Sequence, residues 1–125
     1  MAISTLNMEN INSSIESNDI LIIDFWASWC GPCMAFKPIF EQTAEKHPEI
    51  AFASCNTEEE QDLAHMFQIR SIPTLMIFRE QILVYAQPGM LPAEALEQLI
   101  EKVQALDMDE VRKEVAQMKE QAASA

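Results

Sequence analysis

The sequence predicts an α/β domain, with a central mixed β-sheet, helices on both of its faces and one extra helix at the C-terminus. Three observations carry that expectation. β-rich and amphipathic helical runs alternate in the order βαβαβαββα, and one further helical run follows. Residues 20–27 are apolar on both faces apart from Asp24, as in a central strand covered on two sides. The runs 74–78 and 82–86 are joined only by Arg79-Glu80-Gln81, a connection short enough to require an antiparallel hairpin.

Taken in order, residues 3–6 read as a short first strand, and Met8, Ile11 and Ile15 give residues 7–17 the period of a modest helix. After the central strand a second helix carries Phe36, Ile39 and Phe40. It is expected to run to about His47, where Pro48 stops it, and Pro38 within it predicts a kink by removing one hydrogen bond. Residues 50–56 read as another strand. Thr57 with Glu60 three residues on has the capping-box pattern, opening a helix with Leu63, Ala64 and Phe67 on one face. Glu58-Glu59-Glu60 would then be its solvated first turn, favourable to the helix dipole. Beyond the hairpin, Pro88-Gly89 marks a turn. Leu96, Leu99, Ile100, Val103 and Leu106 form a helical stripe from about Pro92. The register breaks at Asp107-Met108-Asp109-Glu110, where Asp107 can cap a new helix edged by Met108, Val111, Val115 and Met118. Its Ala-rich end is expected to fray. The chain therefore divides into a domain over 1–106 and a helical extension over 107–125, with no internal repeat.

The 125 residues suit one domain with a real core. A hydrophobic content of 49% with only two glycines excludes disordered and collagen-like chains. The net charge is −12 and no Lys or Arg precedes Lys37, so the basic face that nucleic acid or an anionic membrane requires is missing. The same gap removes the positive n-region of a secretory signal, and no apolar run approaches a membrane span. These features read as a soluble, cytoplasmic protein. Three cysteines are too few for a disulfide scaffold, and an odd count argues against pairing them all.

The chemistry is concentrated in Phe25-Trp26-Ala27-Ser28-Trp29-Cys30-Gly31-Pro32-Cys33, where a buried strand, a tight turn and a helix start meet. Cysteines two residues apart can close a small disulfide ring and reopen it without moving the fold. Pro32 suits the first helical turn, where its missing N–H costs nothing. Cys30, just before the helix, meets free N–H groups and the positive dipole end, which favour the thiolate that attacks disulfides. The competing reading is half a zinc site, but Cys55, His47 and His65 supply no second pair at finger spacing, and no metal is expected. A Cys-His protease finds no support, because His47 reads as a helix end and His65 as a surface or packing residue. Cys55 reads as a small buried hydrophobe. Asp24 is either a satisfied buried polar group or a functional carboxylate. Its apolar neighbours Ile22, Ile23, Phe25 and Trp26 should raise its pKa. Trp26 suits core packing or substrate contact equally. Met34 and Met90 are candidates for a partner surface, and the rest of the eight methionines read as mostly core filler.

In these residues the chain closely resembles the thioredoxin family, over about residues 3–106. The resemblance rests on Asp24-Phe25-Trp26-Ala27, Trp29-Cys30-Gly31-Pro32-Cys33, Pro38, Ile69-Arg70-Ser71-Ile72-Pro73-Thr74 and Gly89. It implies a thioredoxin fold, with Cys30 as the attacking nucleophile, Cys33 as the resolving cysteine and a redox-active disulfide between them. Asp24 matches a buried carboxylate that moves a proton to or from Cys33. Pro73 matches a cis-proline facing the dithiol, leaving the backbone of Ile72 to hydrogen-bond an extended substrate. Trp29, Gly31, Pro32, Ile72, Pro73 and Gly89 would form the substrate-binding surface. Three positions depart from the family: Met34 replaces a usual basic residue, Ser54 a lysine near the buried aspartate, and Gln81 a common turn glycine.

The resemblance implies a protein-disulfide reductase with no cofactor of its own, re-reduced by an NADPH-dependent thioredoxin reductase. The C-terminal helix has no counterpart in the shortest members and is marginal alone, so its apolar edge is expected to pack on its own domain or on a second chain, giving a monomer or a weak dimer. The alternative from another class is a non-catalytic docking or co-chaperone module that holds a partner with that helix.

Overall fold

The computed structural model describes residues 2–124. Its organising element is β2 (Ile20–Trp26), apolar on both faces because both are covered. Ile20 and Ile22 face one core with Phe52, Leu75 and Ile77, closed by Phe36 and Phe40 of α2 (Gly31–Lys46) and Leu96 and Ile100 of α4 (Ala93–Gln104). Leu21, Ile23 and Phe25 face the other, closed by Ile11 of α1 (Ile11–Ser17) and Leu63 of α3 (Gln61–Met66). Together with β1 (Ile3–Thr5), β3 (Ala51–Asn56), β4 (Thr74–Arg79) and β5 (Ile82–Pro88), β2 forms a five-stranded sheet in the order β1-β3-β2-β4-β5. β1, β3 and β2 run parallel, and β4 and β5 are antiparallel additions beside β2. The mixed sheet with helices on both faces is the expected architecture.

Local polar contacts move several element limits. The first helix starts at Ile11 rather than near Asn7, because Asn7 Oδ1 accepts the N–H groups of Glu9 and Asn10, both at 2.9 Å, and holds a turn. Thr57 is not a helix cap. Its Oγ1 donates to Trp26 O at 3.2 Å, while Asn56 Oδ1 accepts the Glu58 N–H at 3.0 Å. α3 therefore begins only at Gln61, with Glu58 and Glu59 in the turn before it and Glu60 at the N-cap position. The hairpin turn is Glu80-Gln81 alone, with Arg79 absorbed into β4. Both turn residues have positive φ, +50° and +69°, the twist that a two-residue hairpin needs.

Two clamps hold the helices. His47 ends α2 as expected, and its Nε2 lies 2.7 Å from Glu97 Oε2 on α4. Arg79 donates to the carbonyls of Val103, Gln104 and Leu106, covering the C-terminal end of α4. α5 (Met108–Ser124) is capped by Asp107, whose Oδ1 accepts the N–H groups of Asp109 and Glu110. Met108 is buried, and Arg112 pairs with Glu80 of the hairpin turn. The helix continues through Ala122 and Ala123 to Ser124, so no fraying of the Ala-rich end is seen among the described residues. Its apolar edge is exposed by Met118. No described helix is long and apolar enough to cross a membrane.

Candidate active site

β2 ends at Trp26, and Ala27-Ser28-Trp29 carries the chain over the end of the sheet to Cys30, the N-cap of α2. Cys30 is extended there, and its Sγ accepts the Cys33 N–H at 3.2 Å, taking the place of a capping oxygen. Pro32 occupies the first turn, where no N–H is needed. Cys30 and Cys33 form a disulfide, with Cα atoms 5.2 Å apart. The two cysteines are not equally buried. Cys30 retains 5% exposure beside Trp29 at 68%, whereas Cys33 is at 0%.

Opposite the dithiol, the Ile72–Pro73 peptide is cis, and Ile72 O lies 3.7 Å from Cys30 Sγ. The Gly89 N–H donates to Pro73 O at 2.8 Å, and Gly89 itself takes φ +99°, a conformation that favours glycine. β5 is thereby tied to the start of β4 at the dithiol end. Gly31, Pro32, Trp29 and Gly89 are exposed, Ile72 is half-buried and Pro73 is buried. Met34 and Met90, at 36% and 40% exposure, directly follow Cys33 and Gly89 in the chain.

Asp24 lies on the α2 side of the sheet, two residues along β2 from Ile22. Burial pushes its pKa from 3.8 up to about 7. Its Oδ1 has no hydrogen-bond partner among the described residues. Asp24 and Cys33 line one cavity, which also includes Trp26, Met34 and Lys37. The Lys37 Nζ stands 5.5 Å from the Trp26 ring centroid, so this half-buried indole packs against a cation.

The other titratable candidates lie outside this constellation. Cys55 is fully buried, and burial followed by the charge of Glu60 pushes its thiol up to about 12. His65 is exposed on α3, and His47 belongs to the α2–α4 clamp. Among the described residues, no group of three or more His, Cys, Asp or Glu could hold a metal ion. Lys37, Glu41 and Glu45 line this cavity beside Met34 and are not among the site candidates of the sequence; their spacing along one face of α2 was the available signal.

The family model for thioredoxin matches residues 2–102. A putative thioredoxin 2 of Streptomyces coelicolor is 50% identical over 117 residues, covering 94% of this chain and 87% of the relative. Among solved structures, a mutant thioredoxin from Halobacterium salinarum superimposes with a TM-score of 0.77 at 31% identity, over 83% of this chain and 92% of its own. A chain from a structure concerned with thiol resolution in yeast mitochondrial 1-Cys peroxiredoxin via glutathione/thioredoxin systems gives 0.74 at 30% identity, over 80% and 94%. With the dithiol at a helix start, the cis-proline opposite and these matches agreeing, the chain belongs to the thioredoxin family and is a thiol–disulfide oxidoreductase that reduces protein disulfides.

Proposed function

We propose that Cys30 is the attacking sulfur, Cys33 the resolving sulfur and Asp24 the group that takes the proton from Cys33. In the reduced chain, the N-terminus of α2 and the Cys33 N–H favour a thiolate at Cys30. That thiolate attacks a substrate disulfide, forming a mixed disulfide and expelling one substrate sulfur as thiolate. Cys33 gives its proton to the Asp24 carboxylate and attacks Cys30. The Cys30–Cys33 bond forms, the second substrate sulfur leaves, and two electrons have passed to the substrate. A carboxyl with a pKa of about 7 suits this exchange, since it both accepts and releases a proton near neutral pH.

The observation that carries the assignment is the difference in exposure, because a folded substrate can reach Cys30 and cannot reach Cys33. Trp29, Gly31, Pro32, Ile72, Pro73 and Gly89 act as the docking surface around Cys30, with Ile72 offering backbone hydrogen bonds to an extended segment. Family membership supports an NADPH-dependent flavoprotein reductase as electron donor, and the absence of any Lys or Arg before Lys37 is the support for a cytoplasmic setting. The solved relative from the peroxiredoxin study makes oxidised peroxide-reducing enzymes one class of substrate to test. Residues 1–106 act as the reductase domain, residues 107–125 are an appendage, and the protein works as a monomer or a weak dimer.

Cys33→Ser should accumulate mixed disulfides from an oxidised lysate, and Cys30→Ser should lose both trapping and turnover. The opposite pattern would exchange the two roles. Absence of insulin reduction by the folded wild type would favour a docking module instead.

A further inference from the structure

A cavity of about 450 Å³ lies along α2 from Cys33 toward Glu45, on the side of β1 and β3. None of the exposed residues around the sulfurs, Trp29, Gly31, Pro32 and Gly89, lines it. Asp24 does, at 4% exposure and with Oδ1 unpartnered among the described residues. The strand register sets what lies beside it. Asp24 pairs with Ser54 of β3, and Ser54 pairs with Thr5 of β1, so the three share one face of the parallel strands. On the other flank Asp24 pairs with Leu75 of β4, which closes the row with an apolar side chain. Exposure rises outward from buried Asp24 through half-buried Ser54 to exposed Thr5, and both hydroxyl residues line the cavity. A hydroxyl donates and accepts at once, and the volume admits several waters at about 30 Å³ each.

We propose that Asp24 exchanges its proton with bulk water through this cavity, along the hydroxyls of Ser54 and Thr5, and not through the dithiol face. The inference rests on the reading that Asp24 takes the proton of Cys33. While a substrate is bound through Cys30, the docking surface is covered, yet Cys33 must still lose a proton. That proton passes to the Asp24 carboxylate and from there to cavity water or the Ser54 hydroxyl, which passes its own proton outward toward Thr5. The carboxylate is regenerated, and the departing substrate thiolate draws its proton from bulk water. The surroundings suit such a path. β4, β3 and β1 bring no charge to the row, and α2 contributes Cys33 inside with Lys37, Glu41 and Glu45 exposed along the cavity.

Stopped-flow reduction of insulin separates attack from release. Ser54→Leu should leave attack unchanged and slow release roughly tenfold, a modest share of the ~10²–10⁴ that positioned proton transfer contributes. The solvent deuterium isotope effect on release should rise, and Ser54→Thr, which keeps the hydroxyl, should restore both. Thr5→Leu tests the outer end at an exposed position where folding is not at stake, and should slow release in the same direction. Wild-type release in both leucine variants, with Asp24→Asn slowed, would overturn the route and leave the role of Asp24 standing. Slow release that Ser54→Thr fails to restore would also count against it. Wild-type release in Asp24→Asn would remove the proton role and the route together.

Discussion

Replacing Asp24 with asparagine keeps the shape of the side chain and deletes its charge, so the stability of the variant reports what the fold spends on holding a carboxylate there. The group titrates near 3.8 when unfolded and about 7 when folded, and burial is the cause. Below the lower value both states hold the proton and the carboxyl costs nothing. As pH rises through the window the folded state binds more protons than the unfolded state, so stability falls until about pH 7 and is level beyond it. A unit of pKa is worth about 1.4 kcal/mol, so the wild type carries a penalty on the order of 4 kcal/mol above the window. The advantage of Asp24→Asn should therefore grow from about 2 kcal/mol near pH 5 to about 4 kcal/mol near pH 9. Urea denaturation of both proteins across that range measures it. The difference between them is the readout, because the many other acids titrate alike in both. An advantage that stays flat with pH, or a variant less stable near pH 9, would refute the reasoning.

The His47 clamp should show the opposite sense. Burial pulls its pKa down, but hydrogen bonds to Glu97 and Glu49 and their charges outweigh that and raise it above 6.5. A raised histidine stabilises fully below its unfolded pKa and loses that contribution as pH rises through the folded one. His47→Gln should therefore lower the melting temperature at about pH 5.5 and have much less effect at about pH 8.5, whereas an equal deficit at both would contradict the charged clamp. Cys55, with its thiol raised to about 12, should resist iodoacetamide in the reduced native protein while Cys30 is alkylated; modification of Cys55 at a comparable rate would show that its strand opens. Truncation after Leu106 removes a helix docked at the hairpin turn, at the opposite end of the sheet from the dithiol. It should cost about 1.5–3 kcal/mol through the lost burial of Met108 and leave insulin reduction intact, so inactivity in a folded truncation would give α5 a catalytic part.

The order of elements was legible because apolar periodicity is a property of contiguous residues. The antiparallel hairpin was legible because a short connection leaves no other geometry. Element limits were less so where a polar side chain had two uses. Thr57 has the capping-box pattern, yet its hydroxyl bonds the end of β2, a partner far away in sequence. Asn7 and Asn10 sit in a stretch of helical period and instead close a turn on each other, with Asn10 Oδ1 accepting the Asn7 N–H at 2.9 Å. Local pattern cannot decide between a helix and a side chain that competes for the same backbone groups.

The dithiol was legible for a similar reason, since strand, turn, cysteines and helix start are consecutive. The raised pKa of Asp24 followed from its neighbours along β2, because a strand enclosed on both faces buries the side chains of its middle residues. What lies beside Asp24 did not follow. Ser54 and Thr5 are ordinary strand residues in sequence, and only the order β1-β3-β2 with its parallel register sets them in one row leading from the carboxyl to the sheet edge. A slip of one residue in either pairing would turn Thr5 or Ser54 to the opposite face and break the row. A single sequence states which residues can move a proton, but the register decides whether they are close enough to pass it on.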